Sequence, residues 1–195
     1  MFNNHQDNRQ LDLYDVLNNS YKPIKEQDRF YIQHGYKLDK QLSDRFNSVL
    51  FNPKENKLLY TVAGSRSLID WAINDPALAL GLHKNTLRYH TAKETLEEAK
   101  KKYHPAQTVV AGHSLGARVA SGIAGSSDKL YTYNGGHSFN NKIRDNETAI
   151  RVQGDAVSAL GSGNKRMNTL KNNSWIKDPY TSHGLQHLKG KKIYI

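Results

Sequence analysis

A chain of 195 residues, 37% of them hydrophobic, is long enough for one domain with its own core, and it has no apolar run near the ~20 residues needed to cross a bilayer. It contains no cysteine, which excludes a disulfide framework. The formal net charge is +10, and residues 151–195 hold eight basic side chains against two acidic ones. Such a surface favours an anionic partner, either a phospholipid surface, a nucleic acid or an acidic protein, although some soluble proteins are simply basic.

The amino-terminal part of the chain begins with a polar, asparagine-rich segment. Residues 1–10 do not resemble a secretory signal, so we expect a disordered tail and a cytoplasmic location. Apolar side chains recur at helical spacing over Leu11–Tyr21, and Pro23 ends the predicted helix. We interpret residues 22–44 as a strap across one sheet edge. Three side chains are its expected anchors: Tyr36, Leu38 and Leu42.

The next segments predict a β-hairpin and a region of unassigned role. Two strand-like runs, Arg45–Phe51 and Lys57–Ala63, flank a turn-forming segment at residues 52–56. Further on, Asp75-Pro76 predicts the start of a short helix at Ala77–Leu82. This region is either packed over the sheet or acts as a lid that faces an acyl chain, and the two look alike in sequence. Its candidate lid and acyl-contact residues are Trp71, Leu78 and Leu80.

The centre of the chain carries the most informative pattern. Thr91-Ala92-Lys93-Glu94 matches a capping box and predicts the start of a helix that Pro105 closes. A β-branched run at residues 108–111 then predicts a buried strand, and the small and apolar residues 117–124 predict another helix. Between these two elements stands Gly112-His113-Ser114-Leu115-Gly116. Strand, G-x-S-x-G and helix together predict a nucleophile elbow that presents Ser114 at the helix N-terminus, whereas a glycine-rich turn with a capping serine is the simpler alternative.

The remaining elements complete a predicted α/β sheet. Strands are expected at Lys129–Asn134 and Ala149–Gln153, a long polar loop at residues 161–182, and a last edge strand at Lys191–Ile195. Because parallel strands need crossover connections, the alternation of strands and helices predicts a mixed, mostly parallel sheet flanked by helices. Residues 11–195 are expected to form this one domain, with its site at the carboxyl ends of the strands.

A serine nucleophile needs a histidine base and a third group that orients the base. In folds built on such an elbow the chain order is serine, acid and histidine. Asp155 follows a strand-like run, where this architecture places its acid; a simple turn aspartate is the alternative. Only His183 and His187 lie beyond it, and their spacing allows one helix face. No third ligand accompanies them, so we expect no metal site.

These segments resemble the fungal-type (class 3) lipase family of α/β-hydrolases over about residues 46–187. Gly112–Gly116 matches the family's G-H-S-L-G. Residues 63–71 resemble its R-G-[TS]-x-S…D-W segment, and Gly154-Asp155-Ala156-Val157 resembles G-D-P-V. Ser182-His183-Gly184-Leu185 resembles the H-S-[LI] segment of small members, which include lipase-like proteins of large DNA viruses.

The resemblance implies a role for each site residue. Ser114 would be the nucleophile, Asp155 the acid and His183 the base, with His187 as the alternate base. Ser65 and the backbone N–H of Leu115 would form the oxyanion hole. The chain departs from the family pattern at three positions, of which Ala63, in place of the usual arginine, weakens an anchor beside the oxyanion hole; the others are Ala117 and Ala156.

The implied activity is that of a serine carboxylester hydrolase acting on lipid esters. The substrate would be an acylglycerol or a glycerophospholipid, with no metal or organic cofactor. The basic carboxyl-terminal part favours peripheral contact with an anionic membrane, and we do not expect a nucleic-acid partner. Four basic residues between the acid and the base are expected to line the rim of the site: Lys165, Arg166, Lys171 and Lys177. Two alternatives stay open, a non-catalytic binding or virion-structural protein and a soluble short-chain esterase. A viral protein of this kind would be virion-associated and not cytoplasmic.

Overall fold

The computed structural model describes residues 10–65, 87–135, 142–159, 163–172 and 179–195. Within these ranges the helices are α1 (Leu13–Asn19), α2 (Ile24–Ile32), α3 (Leu87–Tyr103), α4 (Leu115–Ile123) and α5 (Pro179–His183), and a 3-10 helix follows at Leu185–His187. The strands are β1 (Lys37–Leu38), β2 (Asn47–Asn52), β3 (Lys57–Val62), β4 (Gln107–His113), β5 (Lys129–Tyr133), β6 (Glu147–Val152) and β7 (Asn168–Leu170). No helix in these ranges has the length and apolar character to cross a bilayer.

The strands form one seven-stranded sheet in the order β1-β2-β3-β4-β5-β6-β7. The first two pairings are antiparallel, and the pairings from β3 to β7 are parallel. The predicted hairpin is confirmed, because β2 and β3 pair in register from Asn52 opposite Lys57. The mixed, mostly parallel sheet flanked by helices is the fold class that the sequence predicts.

Both faces of the sheet are buried, which is why its strands are rich in continuous apolar runs. Helices α1 and α2 cover one face. Its core includes Leu13, Leu17, Tyr31, Leu59, Val109, Tyr133, Ile150 and Leu188. Helices α3 and α4 cover the other face. Its core includes Leu58, Tyr60, Leu96, Val110, Val119, Ala120 and Leu130.

The amino-terminal elements differ in part from the sequence interpretation. Helix α1 is confirmed, and the Asp12 carboxylate caps it by accepting a hydrogen bond from the Asp15 N–H at 2.9 Å. The predicted strap over residues 22–44 is instead α2 followed by β1. Pro23 both ends the first helical pattern and stands at the N-cap of α2, a second role of proline that the pattern alone does not reveal.

Helix α3 begins at Leu87, so the capping box at Thr91 lies inside the helix and does not start it. The extra turn is held by a tertiary contact, because Arg88 lies over the Phe46 ring at 4.3 Å and its guanidinium donates to the Ala63 carbonyl. Long-range packing therefore extends the helix beyond the local signal for its start.

The expected loop at residues 161–182 contains β7 and ends in α5. Strand β7 is only three residues long and places one of them, Leu170, against the core, so it carries no periodic pattern. The expected edge strand at Lys191–Ile195 is wrong. Tyr194 makes only an isolated bridge to Asp12, and Ile193 and Ile195 form backbone hydrogen bonds with Leu13 and Leu11 next to α1, while β1 and β7 are the edge strands of the sheet.

Candidate active site

The strand–turn–helix predicted around Ser114 is present. Ser114 lies between β4 and α4 with φ 58° and ψ −125°, a backbone conformation that residues other than glycine rarely adopt. Its N–H donates to the Tyr133 carbonyl at 2.9 Å, which ties the turn to β5. A Cβ at Gly112 would lie 2.5 Å from the Gly116 carbonyl oxygen, and one at Gly116 would lie 2.6 Å from the carbonyl oxygen of Ala63. Both glycines are therefore required by the close approach of β3, β4 and α4.

The Ser114 hydroxyl stands at the amino end of α4. Its Oγ is buried and has no hydrogen-bond partner in the part of the chain that the structure describes. The Ser114 side chain makes no capping hydrogen bond to this helix end, and the first N–H groups of a helix have no acceptor within the helix. Leu115 is the first of these residues. The end of α4 thus offers backbone donors and a positive dipole end next to the hydroxyl.

Asp155 and His183 form a buried pair. His183 Nδ1 lies 2.6 Å from Asp155 Oδ1, and the two side chains are 9% and 0% exposed. The other carboxylate oxygen, Oδ2, accepts hydrogen bonds from the Ser158 N–H, at 2.8 Å, and from the Ser158 hydroxyl. Burial raises the pKa of the Asp155 carboxyl, but hydrogen bonds from His183 and Ser158 outweigh burial and hold this pKa below its usual value. Asp155 is therefore ionised and can only accept, so His183 Nδ1 carries the proton.

The second ring nitrogen of His183 is the atom left for proton transfer. Nε2 is buried and, like Ser114 Oγ, has no hydrogen-bond partner among the described residues. An unprotonated Nε2 could accept from the Ser114 hydroxyl, and both groups belong to segments at the carboxyl ends of the parallel strands. Nucleophile–base hydrogen bonds are often long in proteins without substrate.

Gly64 brings the candidate oxyanion segment against Ser114. A Cβ at Gly64 would lie 3.1 Å from Ser114 Cβ and would meet the Tyr21 hydroxyl. The Gly64 N–H donates to Tyr21 Oη at 2.8 Å, and Ser65, the next residue, is half-buried. The sequence predicts a weakened anchor at Ala63. The structure supplies one from elsewhere in the chain, because the Arg88 guanidinium donates to the Ala63 carbonyl.

His113, inside the elbow, makes contacts that the sequence interpretation missed. Its Nδ1 lies 2.6 Å from Tyr21 Oη, and its Nε2 lies 3.0 Å from the His183 carbonyl oxygen. Burial, with His183 nearby, lowers the pKa of His113 to about 3, so the ring is neutral. A carbonyl oxygen can only accept, so Nε2 carries the proton and Nδ1 accepts from Tyr21. Tyr21 is the last residue of the predicted helical pattern, and nothing in that pattern signals this contact.

Asn134 is a second polar residue that the sequence interpretation passed over. Its amide nitrogen donates to the carbonyl oxygens of Ser182 and His183, at 3.1 and 3.0 Å, and its amide oxygen accepts from the Val152 N–H at 2.9 Å. Its φ of 46° lies in the left-handed region, where asparagine is enriched. An asparagine directly before Gly135-Gly136 at a strand end was the available signal.

The structure brings His183 to Asp155, and not the alternate base His187. His183 ends α5, whereas His187 belongs to the 3-10 helix, and Gly184 interrupts the two with an extended backbone. The two histidines therefore do not share one helix face. His187 Nε2 lies 3.2 Å from the Thr181 carbonyl oxygen.

Other predicted site features fall partly or wholly outside the described residues. Within the described ranges, no group of three or more histidine, cysteine, aspartate or glutamate side chains could hold a metal ion. The candidate lid residues, the predicted helix 77–82 and residues 1–9 of the predicted tail lie outside those ranges. The lid residues are Trp71, Leu78 and Leu80.

The described residues of the predicted basic rim do not all lie at the same ends of the parallel strands. Lys165 and Arg166 come before β7, and Arg166 pairs with Asp145 at the amino end of β6, so these two lie away from the site. The expectation that Lys165 and Arg166 line the rim is wrong. They precede β7, so they lie at the amino ends of the parallel strands, whereas the site lies at the carboxyl ends. Lys171 is exposed and directly follows β7, at the carboxyl ends of the parallel strands. Lys177 lies outside the described residues.

Comparison with known proteins supports the fold. No family model and no curated protein sequence matches the chain. A deletion mutant of the Rhizomucor miehei lipase–propeptide complex matches with a TM-score of 0.53 and 16% identity, over 87% of this chain and 67% of that one. The native Rhizomucor miehei complex matches with 0.41 and 17%, over 63% and 50%, and Lip2 lipase from Yarrowia lipolytica with 0.43 and 16%, over 63% and 60%. The chain thus spans about half to two thirds of these fungal lipases, and it shares the fold of the Rhizomucor miehei deletion mutant.

Proposed function

We propose that this protein is a serine carboxylester hydrolase that acts on lipid esters. The observation that carries the proposal is the buried Asp155–His183 pair, which leaves His183 Nε2, like the hydroxyl of the elbow serine, without a hydrogen-bond partner among the described residues. A buried polar atom without a partner is unfavourable and needs an explanation, and for a hydroxyl and an imidazole nitrogen a bound reacting group is one. Two complementary atoms of this kind at one sheet edge support acyl transfer.

The proposed reaction follows from these groups. Ser114 Oγ attacks the ester carbonyl carbon while His183 Nε2 takes the hydroxyl proton. The tetrahedral intermediate collapses, the alcohol leaves with the proton that His183 returns, and an acyl-serine remains. Water then attacks the acyl-serine, again giving a proton to His183, and release of the acid restores Ser114. Asp155 keeps the proton on Nδ1 throughout.

The negative charge of the intermediate needs donors on the opposite side of the carbonyl. The Leu115 N–H at the start of α4 is one proposed donor, since the Ser114 side chain does not cap this helix end. Ser65 is the other, through its N–H and hydroxyl, because Gly64 lies against Ser114. Arg88 and Tyr21 hold the backbone of this segment through hydrogen bonds to the Ala63 carbonyl and from the Gly64 N–H.

The substrate class is proposed from fold and charge together. The lipases that share this fold suggest a lipid ester, and the net charge of +10 favours an anionic surface. Lys171 lies at the same edge as the site. We therefore place glycerophospholipids, cleaved as by a phospholipase A, ahead of neutral acylglycerols, with peripheral binding to an anionic membrane.

A panel of p-nitrophenyl esters of increasing acyl length, with labelled phospholipid vesicles, tests the proposal. Wild type should hydrolyse them, and Ser114→Ala and His183→Ala should each reduce kcat on the order of 10⁴-fold. His187→Ala is the matched control and should keep wild-type kcat. Near wild-type activity of folded Ser114→Ala would refute the hydrolase proposal, and activity confined to the shortest soluble esters would identify a short-chain esterase.

A further inference from the structure

We infer that Tyr21, His113 and Asn134 are positioning residues that hold the His183 backbone to the nucleophile elbow and to the oxyanion segment. The inference rests on the proposed function, because it assigns these side chains to the placement of the base. The hydrogen bonds that carry the inference join these side chains to one another and to the main chain on either side of the reacting groups.

The backbone around His183 is held by side chains from two strand ends. The His183 carbonyl accepts from His113 Nε2 and from Asn134 Nδ2, both at 3.0 Å. The preceding carbonyl, of Ser182, accepts from Asn134, and the following one, of Gly184, accepts from the Tyr133 hydroxyl at 3.2 Å. Helix α5 has five residues, too few to hold its own shape. The ends of β4 and β5 therefore fix the position of His183.

A directed chain of hydrogen bonds connects this anchor to the oxyanion side. The Gly64 N–H donates to Tyr21 Oη, the Tyr21 hydroxyl donates to His113 Nδ1, and His113 Nε2–H donates to the His183 carbonyl. Burial raises the pKa of Tyr21 to about 12 and lowers that of His113 to about 3. Both side chains therefore stay neutral near pH 7, and each link keeps its direction. These hydrogen bonds run through His113, the residue directly before Ser114.

The polar character of these side chains, of which His113 and Asn134 are buried and Tyr21 is half-buried, indicates positioning over simple packing. Burying a hydroxyl, an imidazole and an amide is unfavourable unless each is hydrogen-bonded, and apolar side chains of similar size would fill the same space. Here the donors converge on the carbonyls beside one histidine. A displacement of about 1 Å at a catalytic group can lower the rate about 10²-fold, so the network controls turnover without contacting substrate.

The test compares kcat, KM and the rate of Ser114 labelling by a serine-directed phosphonate. His113→Leu removes both hydrogen bonds, and we expect kcat and the labelling rate to fall about 10²-fold with KM nearly unchanged. His113→Gln keeps a donor for the His183 carbonyl and an acceptor for Tyr21, and it should recover most of the loss. Tyr21→Phe removes a single oxygen and should reduce kcat about tenfold, a smaller loss because the donor to His183 remains.

Tyr31→Phe is the matched control. Its hydroxyl is also buried on the α1–α2 side of the sheet, but it donates to the Val16 carbonyl at 3.3 Å, away from the site. We expect a similar loss of stability and unchanged kcat. If His113→Leu does not fold, Tyr21→Phe against Tyr31→Phe decides the question.

Two results separate this inference from the proposed function. If Ser114→Ala is inactive while folded Tyr21→Phe and His113→Leu keep wild-type kcat, the network has no positioning role and the hydrolase proposal stands. Equal losses in His113→Gln and His113→Leu, or in Tyr31→Phe and Tyr21→Phe, would also overturn the inference. If Ser114→Ala retains activity, the proposed function itself fails.

Discussion

Replacing Asp155 by asparagine tests the direction of the proton on His183. The Ser158 N–H and hydroxyl both donate to Asp155 Oδ2, so the asparagine oxygen is drawn to that side. Its NH₂ group then faces His183 Nδ1 in place of Oδ1, which accepts at 2.6 Å in the wild type. An NH₂ donor forces Nδ1 to accept, and the ring proton moves to Nε2, the atom that must act as base.

We expect kcat of Asp155→Asn to fall by about 10⁴-fold, equivalent to about 5 kcal/mol of transition-state stabilisation, with KM little changed. Initial rates on p-nitrophenyl butyrate under saturating conditions measure this loss. Asp128→Asn is the matched control, because Asp128 is also a buried, paired carboxylate, bonded to Lys100 at 2.6 Å on the other side of the sheet from α1. That variant should lose stability and keep kcat. A folded Asp155→Asn protein with kcat within tenfold of wild type would refute the assignment of the pair.

Three further predictions concern charge, pH and the oxyanion hole. Lys171→Gln should weaken a low-salt preference for anionic over zwitterionic vesicles, since each cation near such a surface contributes about 1 kcal/mol, while p-nitrophenyl acetate hydrolysis stays unchanged. The pKa of His113 in the folded protein, about 3, lies below its ordinary value of 6.5. Between these two pH values the unfolded chain therefore binds a proton that the folded protein does not. The free energy of unfolding should fall by up to about 1.4 kcal/mol per pH unit as pH drops from 6.5 towards 3. Denaturant titrations of wild type and His113→Gln isolate this slope, which the variant should lack. Ser65→Ala should lower kcat, by about 10²-fold, more than it raises KM, because the hydroxyl acts on charge that develops in the transition state.

Each of these predictions has a defined contradiction. Lys165→Gln removes the same charge before β7, at the amino ends of the parallel strands, and an equal loss of vesicle preference there would show a general charge effect and no oriented surface. Equal pH slopes for wild type and His113→Gln would place the proton uptake elsewhere. A Ser65→Ala effect confined to KM would make Ser65 a substrate contact only.

The sequence predicts the parts of this protein whose signals are local. Gly112, Ser114 and Gly116 specify the elbow because the steric demand of the turn falls on neighbouring residues. The β2–β3 hairpin follows from turn-forming residues between two strand-like runs, and Asp155 follows from its place after β6. In each case the physical cause and the residue that reveals it are a few positions apart.

The features that were missed depend on contacts between distant residues. His113 and His183 meet across 70 positions, and Tyr21 and His113 across 92, so no window of sequence contains either pair. Strand β7 is defined by its pairing with β6, since its three residues carry no pattern of their own. Because β7 was not predicted, Lys165 and Arg166 were placed at the rim of the site and not at the amino ends of the strands. Tertiary pairing, and not local propensity, determines these positions.

The left-handed backbone of Ser114 has an evolutionary consequence. A residue other than glycine in such a region costs about 1–3 kcal/mol, against a total stability of about 5–15 kcal/mol for a typical domain. Glycine at this position would relieve the strain, so selection for stability alone favours the loss of the serine. Descendants that kept this fold only to bind a partner would drift towards glycine at position 114, whereas a lineage under selection for turnover retains the serine despite the strain.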